Sequence, residues 1–209
     1  MKVTYIQHMG SDLNVVNAAR ISFNTEVTEL SDKDKKLIAY LADNEHMSPF
    51  EHNILTVIVE CPLYIRSQIH RHRTFSYNEV SRRYTSENLE FFIPDIIRKQ
   101  AESNRQASSG ELDGSSTKDA KMIMNIAHDK ALESYNMLID LGVPREQARG
   151  VLPQNLMTKF YMTGNLRNWL HFVKLRIDNH AQYEVQLIGK QVLEILKDKF
   201  PESTKELLK

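Results

Sequence analysis

The chain has 209 residues, with 27 Lys plus Arg against 27 Asp plus Glu, so its formal charge is zero. That balance argues against a protein held on nucleic acid or membrane by bulk charge. With 41% hydrophobic residues, 26% charged residues, 7 glycines and one cysteine, the composition excludes collagen-like, low-complexity, disulfide-framed and cysteine-rich zinc classes.

In chain order, Val3 to His8 predicts a short strand, and the opening residues do not resemble a signal peptide. Leu13 to Arg20 predicts a helix. Ser31 predicts the N-cap of a second helix running to about Asp43, with Asp32 and Asp34 at the positive end of its dipole. Ser48-Pro49-Phe50-Glu51 has the spacing of a capping box. Ile54 to Cys61 is nearly continuous in apolar, β-branched character, which predicts a strand covered on both faces. Pro62 ends it and suits a first helical position, so Leu63 to about His72 predicts a helix.

Leu89 to Pro94 predicts another strand. The serine- and glycine-rich stretch from about Gln106 to Thr117 predicts a mobile surface loop. A long helix follows from Lys118 to Leu141, with Met124, Ala127, Ala131, Tyr135 and Leu138 as its buried stripe. Pro144 to Arg149 predicts a short helix, Met157 to Thr163 a strand, Asn165 to Ile177 a capped helix, and Ala181 to Lys199 a last helix. No apolar run approaches the roughly 18 residues of a membrane span. The pattern predicts one cytoplasmic α+β domain over residues 1–209.

The chemistry concentrates in three segments. Between Arg71 and Arg83, four arginines and His72 accompany one carboxylate, Glu79, with Phe75, Tyr77 and Val80 interleaved and no lysine. Arginine without lysine favours planar, bidentate recognition of phosphate or a heteroaromatic edge. At roughly 100° per residue, Arg71 and Arg73 on one helix would diverge by about 200°. They serve one site only if the helix ends near them, or else they face two ligands. A solvated basic turn remains an alternative, as does nucleic-acid binding with Phe75 and Tyr77 stacking on bases.

The second segment, His46 to His52, reads as a capped turn or as part of a metal site with His70 and His72. No His-Glu-x-x-His pattern or carboxylate pair supports a metal, so none is expected. In the third, Asn165 to Arg176, Arg167, His171 and Lys174 form a polar edge, and Arg176 projects toward the apolar side. An arginine there needs a partner, because an unpaired buried charge is very costly. Either a buried salt bridge or a cation kept ready for a ligand meets that need.

Together the segments resemble the flavin-dependent thymidylate synthases. Arg71-His72-Arg73 followed by Ser81 is similar to that family's hallmark, extended here through Ser76-x-Asn78-Glu79-x-Ser81-x-Arg83-Tyr84. His46-x-Ser48-Pro49-Phe50-Glu51-His52, Ala148-Arg149-x-Val151-Leu152-Pro153 and Leu175-Arg176-x-x-x-His180-Ala181-Gln182-x-Glu184 resemble further family motifs. The resemblance implies an α+β fold with a central, mostly antiparallel sheet flanked by helices. It implies a homotetramer whose sites lie at subunit interfaces.

It also implies reductive methylation of dUMP to dTMP. Methylenetetrahydrofolate is then the carbon donor, NADPH the reductant and FAD the hydride carrier, and tetrahydrofolate is released. By position, Gln68, Arg71, Glu79, Ser81, Arg82, Arg83, Arg149 and Arg176 resemble dUMP contacts, with Arg176 catalytic. Ser48, Arg71, His72, Arg73, Glu79, Asn165, Arg167 and His171 resemble FAD contacts. Cys61, inside the predicted buried strand, is poorly placed to be a nucleophile. Ser81 has no adjacent base in the sequence and is assigned to binding. The absence of Gly-x-Gly-x-x-Gly argues against a Rossmann site. The expected partners are dUMP and a folate, with no nucleic acid and no membrane.

Overall fold

Strand β1 (Lys2–Met9) pairs antiparallel with the long apolar strand β2 (Ile54–Pro62), in register from Lys2 opposite Glu60 to Met9 opposite Ile54, with one slip between Tyr5 and Gln7. Between them run helices α1 (Asp12–Arg20) and α2 (Asp32–Asp43) and a 3-10 turn at Ser48–His52. Helix α3 (Leu63–Ile69), β3 (Ser76–Glu79), β4 (Arg98–Gln100), β5 (Ser108–Glu111), α4 (Gly114–Asp140) and α5 (Arg145–Ala148) follow. The chain closes with β6 (Met157–Asn165), α6 (Leu166–Arg176), α7 (Tyr183–Lys199) and α8 (Pro201–Leu207). This computed structural model describes residues 1–87, 89–102 and 108–209.

The main sheet has the order β1-β2-β6-β3, and β4 and β5 form a separate antiparallel pair. β2 is paired on both edges. Leu55, Val57, Val59 and Cys61, which alternate along the strand and share one face, are completely buried, whereas Ile54, Ile58 and Glu60 on the other face are only half-buried, so the expected cover on both faces is complete on one side alone. The chain divides into two compact units. One comprises Met1–Glu60, Gln68–Asn78 and Lys159–Lys209; the other comprises Cys61–Ser67 and Glu79–Thr158.

In the first unit the core centres on Trp169 of α6. Its indole Nε1–H donates to the Leu55 carbonyl at 2.9 Å, and Phe75 meets its ring edge-on at 4.7 Å. Gly164 lets Phe75 approach: a Cβ there would sit 2.4 Å from the phenyl ring. Ser31 caps α2 in a full capping box with Asp34, and Asn165 Oδ1 caps α6 by accepting the Asn168 amide at 2.9 Å. Buried Asp12 accepts the Glu202 and Ser203 amides at 2.8 and 3.0 Å, which caps α8 from the opposite end of the sequence.

Several expectations are corrected. The helix predicted to reach His72 stops at Ile69, because the Tyr77 hydroxyl interacts with the carbonyls of Ile69 (3.1 Å) and His72 (2.8 Å). Leu89 to Pro94 is not a strand; it contributes a single bridge from Phe91 to Leu156. The predicted loop at 106–117 contains β5 and the start of α4, whose first turn Asp113 caps through the Ser116 amide. Residues 106 and 107 lie outside the described residues. On α4, His128 and Tyr135 are buried, whereas Ala127 of the expected stripe is exposed. Ser48 makes no cap; the residue ahead of that turn is Met47, without a side-chain bond.

Candidate active site

In the first unit, the end of α3 and the end of α6 bring Gln68, His72 and Arg176 together. Arg176 Nε–H donates to His72 Nε2 at 2.9 Å, and its Nη2 donates to the Gln68 carbonyl at 3.2 Å. Among the described residues no carboxylate pairs with Arg176, so the buried salt bridge left open by the sequence is not what holds it. Burial and then the nearby Arg71 push the Arg176 pKa down. Burial, followed by Arg176 and His171, lowers His72 to about 4. His72 is therefore neutral near pH 7, with Nε2 free to accept. The Gln68 side chain donates to Gln182, whose amide donates on to buried Glu184 at 2.8 Å.

Because the helix ends before them, Arg71 and Arg73 lie on an irregular turn, both exposed, around the buried ring of His72. The divergence of one helix does not apply. The reading of Phe75 as a base-stacking platform fails, since Phe75 is 8% exposed and packed on Trp169. The His70 ring lies tilted against that of Tyr77, with centroids 4.1 Å apart, and no group of three or more potential metal ligands occurs among the described residues.

A cavity of about 770 Å³ opens in the same unit, lined by Thr74, Arg167, Asn168, His171 and Lys174 among others. Asn165 supports this wall as the α6 cap, and Arg167 pairs with Glu51 at 2.5 Å. Ser48 is exposed on its 3-10 turn and is not among the lining residues.

The second unit holds its own cavity, about 540 Å³, lined by Arg66, Glu79, Ser81, Arg82, Arg149 and Thr158 among others. Thr158 Oγ1 donates to Glu79 Oε1 at 2.7 Å, and Arg66 Nε lies 3.3 Å from the same oxygen. This pairing tempers the carboxylate in a hollow that also holds Arg82, Arg149 and a second carboxylate, Glu146. Arg82 turns its guanidinium onto the carbonyls of Glu87 (2.7 Å) and Met157 (3.4 Å). Arg83 sits 3.4 Å from Glu146, and Arg149 Nε donates to the Glu146 carbonyl at 3.3 Å. Ser81 Oγ accepts the Arg83 amide at 3.3 Å. Arg66 was not among the expected site residues; an arginine directly after the apolar Leu63-Tyr64-Ile65 was the signal for it.

The profile of a family described as thymidylate synthase complementing protein matches residues 4–202. A flavin-dependent thymidylate synthase from Thermotoga neapolitana is 39% identical over 201 residues, covering 95% of this chain and 87% of its own. One from Thermus thermophilus is 40% identical over 199 residues, covering 95% of this chain and 72% of its own. The chain belongs to the flavin-dependent thymidylate synthase family. A crystal structure of the UMP/dUMP methylase PolB from Streptomyces cacaoi, bound with 5-Br dUMP, superposes with a TM-score of 0.90 at 31% identity, over 98% of this chain and 93% of that one.

Membership of the flavin-dependent thymidylate synthase family gives the two cavities a chemical context. It also fits the state of the one cysteine. Cys61 is fully buried, and burial pushes its thiol up to about 12, so it is not a ready thiolate. The Arg-His-Arg hallmark occupies the turn between α3 and β3, where it supplies Arg71 and Arg73 at the surface and His72 to Arg176. Among the described residues no helix is long and apolar enough to cross a membrane.

Proposed function

We propose that this protein converts dUMP to dTMP by reductive methylation, with methylenetetrahydrofolate as carbon donor, NADPH as reductant and FAD as hydride carrier, releasing tetrahydrofolate. One observation carries the reading: a half-buried arginine, Arg176, is held by two neutral acceptors, with no carboxylate paired to it among the described residues. Such a group suits stabilisation of negative charge that develops on a pyrimidine ring as C5 becomes nucleophilic. A buried, unreactive Cys61 supports a route without a cysteine nucleophile.

The phosphate dianion is assigned to arginines. Arg149 lines the Glu79 cavity with Ser81 and Arg82, which offer hydrogen bonds, and Arg83, Gln68, Arg71 and Arg176 join the dUMP set by their motif positions. Arg66 holds Glu79 so that its carboxylate does not repel the nucleotide. The residues around the larger cavity fit FAD: Arg167, His171 and Lys174 provide cationic and donor groups for a pyrophosphate, with Asn165 fixing their helix. Arg71 and Arg73 are free to turn toward the same charge, and Ser48 and Glu79 join the flavin set by their motif positions. Bound FAD supplies the hydride chemistry that these side chains lack.

We further propose that residues 1–209 act as one cytoplasmic catalytic domain and assemble as a homotetramer with sites at subunit interfaces. Exposed Met122, Ile123, Ile126 and Met137 on α4, with Leu141 after it, give an apolar surface suited to burial between copies. Tritium release from 5-tritiated dUMP, with FAD, NADPH and methylenetetrahydrofolate present, tests the reaction. Release that needs all three supports it. A protein that takes up no flavin and releases no tritium overturns it.

A further inference from the structure

We propose that His72 is a positioning residue whose ring nitrogen, together with the Gln68 carbonyl, aims the Arg176 guanidinium at the nucleotide. The inference rests on the proposed function for the role of Arg176, but the arrangement itself stands on geometry.

A guanidinium carries five N–H donors in a fixed plane. Two of those on Arg176 are spent inside the protein. Nε–H meets His72 Nε2 at 2.9 Å, and one Nη2 hydrogen meets the Gln68 carbonyl at 3.2 Å. Three hydrogens remain, both on Nη1 and one on Nη2. They form the outer edge of the fork, and their direction is fixed by the two acceptors behind them. Anchoring Nε matters most, because it removes rotation about the last side-chain bonds.

The choice of acceptor follows from charge. A carboxylate at position 72 would hold Nε–H more strongly, but it would neutralise the cation that the reaction uses. An imidazole nitrogen supplies the lone pair without the charge. It can do so only while Nε2 is unprotonated, which places the ring proton on Nδ1. The surroundings enforce this. Burial among rings such as Phe172, whose centroid lies 4.9 Å away, and then Arg176 and His171 on α6 disfavour a second proton, and Tyr77 on β3 brings no carboxylate.

The acceptors are themselves fixed. The Tyr77 hydroxyl contacts the carbonyls of Ile69 and His72, which pins the turn on which the imidazole sits. The Gln68 side chain is tied to Gln182, which keeps the end of α3 in place. His72 is thus built into the fold as a rigid, neutral post.

The test compares wild type with His72→Gln, which retains an acceptor at similar reach, and His72→Leu, which retains volume only. Kinetics for dUMP, flavin absorbance and urea denaturation are recorded for each. We expect His72→Leu to lose about 10²-fold in kcat, the scale of a misplaced reacting group, with a much smaller change in KM. His72→Gln recovers most of that loss. Equal kcat in a folded His72→Leu variant, or a His72→Gln variant as impaired as His72→Leu, overturns the proposal. Wild type without tritium release overturns the proposed function instead.

A second readout does not depend on activity or on variant folding. In ¹⁵N-arginine-labelled wild type, the Arg176 Nε–H resonance is expected to be slow to exchange and unchanged from about pH 8 to pH 5, whereas an unperturbed imidazole titrates near 6.5. A resonance that exchanges freely, or that shifts with a midpoint near 6.5, removes His72 as its acceptor.

Discussion

The Cα of Gly189 on α7 faces the backbone of Arg176 on α6 so closely that a methyl group built there would lie 3.3 Å from both the Arg176 carbonyl carbon and its Cβ, and 3.1 Å from Ile177 Cγ2. The glycine costs helix propensity, roughly 1 kcal/mol relative to alanine. In return it lets two helices meet at the residue whose direction matters most. We predict that Gly189→Val destabilises the fold by about 1–3 kcal/mol through overpacking. It also lowers kcat more than flavin uptake, since displacement of α6 moves Arg176. Urea denaturation and steady-state kinetics on the same preparation check both halves.

Asp34 gives the fold an acid-sensitive clamp. Its carboxylate accepts from the Ser31 hydroxyl at 2.5 Å and the Ser31 amide at 3.0 Å, and it pairs with Arg20. The Ser31 bonds, with Arg20, hold its pKa at about 2 against an ordinary value of 3.8. A depressed folded pKa means the contribution is complete above the unfolded value and fades as pH falls from about 4 towards about 2. Ser31→Ala is expected to cost about 1 kcal/mol at neutral pH, as loss of an N-cap does. The deficit should narrow in that acid window, which urea melts at stepped pH will show.

Much of the fold was legible because its signals are local. The apolar run of β2, the Ser31 N-cap and the Asn165 cap each specify structure within a few residues. The elements that escaped depend on distant groups. Helix α8 is capped by Asp12, from the other end of the chain. Helix α3 is cut short by a tyrosine eight residues beyond its end. The β4–β5 pair is built from Ser, Gly, Gln and charged residues with no apolar alternation to announce it. In the candidate site, the Arg-His-Arg hallmark was readable as a motif, but its geometry was not. Spacing required a partner for Arg176 and left open a carboxylate or a ligand; the partner is His72.

The Glu79 cavity predicts a binding phenotype. Arg149 lines it and is exposed, with its Nε on the Glu146 carbonyl. A hydrogen bond to a charged group contributes roughly 1.5–3 kcal/mol, about 10- to 150-fold in affinity. Arg149→Ala is expected to raise KM for dUMP within that range while kcat falls less. Calorimetric titration of dUMP into the flavin-loaded variant separates affinity from turnover. Unchanged affinity would remove Arg149 from the phosphate site.

Arg176→Ala should behave in the opposite way. Flavin contacts are assigned to other residues, so absorbance of the bound flavin should persist. Turnover should fall by about 10²-fold or more, as when one donor that stabilises developing charge is removed. Tritium release per bound flavin is the measurement. A variant turning over at the wild-type rate would contradict the role given to this guanidinium.

Cys61 yields the last prediction, which separates two chemistries. Its thiol is completely enclosed in β2, and burial raises it to about 12 from an ordinary 9.0. A thiol raised on folding stabilises the native state in full below its unfolded pKa. That contribution is lost as pH climbs from about 9 to about 12, because the unfolded chain ionises first. Cys61→Ala should therefore keep its turnover, lose roughly 1 kcal/mol of packing at neutral pH, and show a shallower fall in stability on the alkaline side than wild type. Tyr77, also raised to about 12 by burial, remains in both proteins and accounts for part of the residual slope. Kinetics at pH 8 and urea melts carried up to pH 10 report the two effects separately. A folded, flavin-loaded Cys61→Ala protein with no activity would return the reaction to a thiolate.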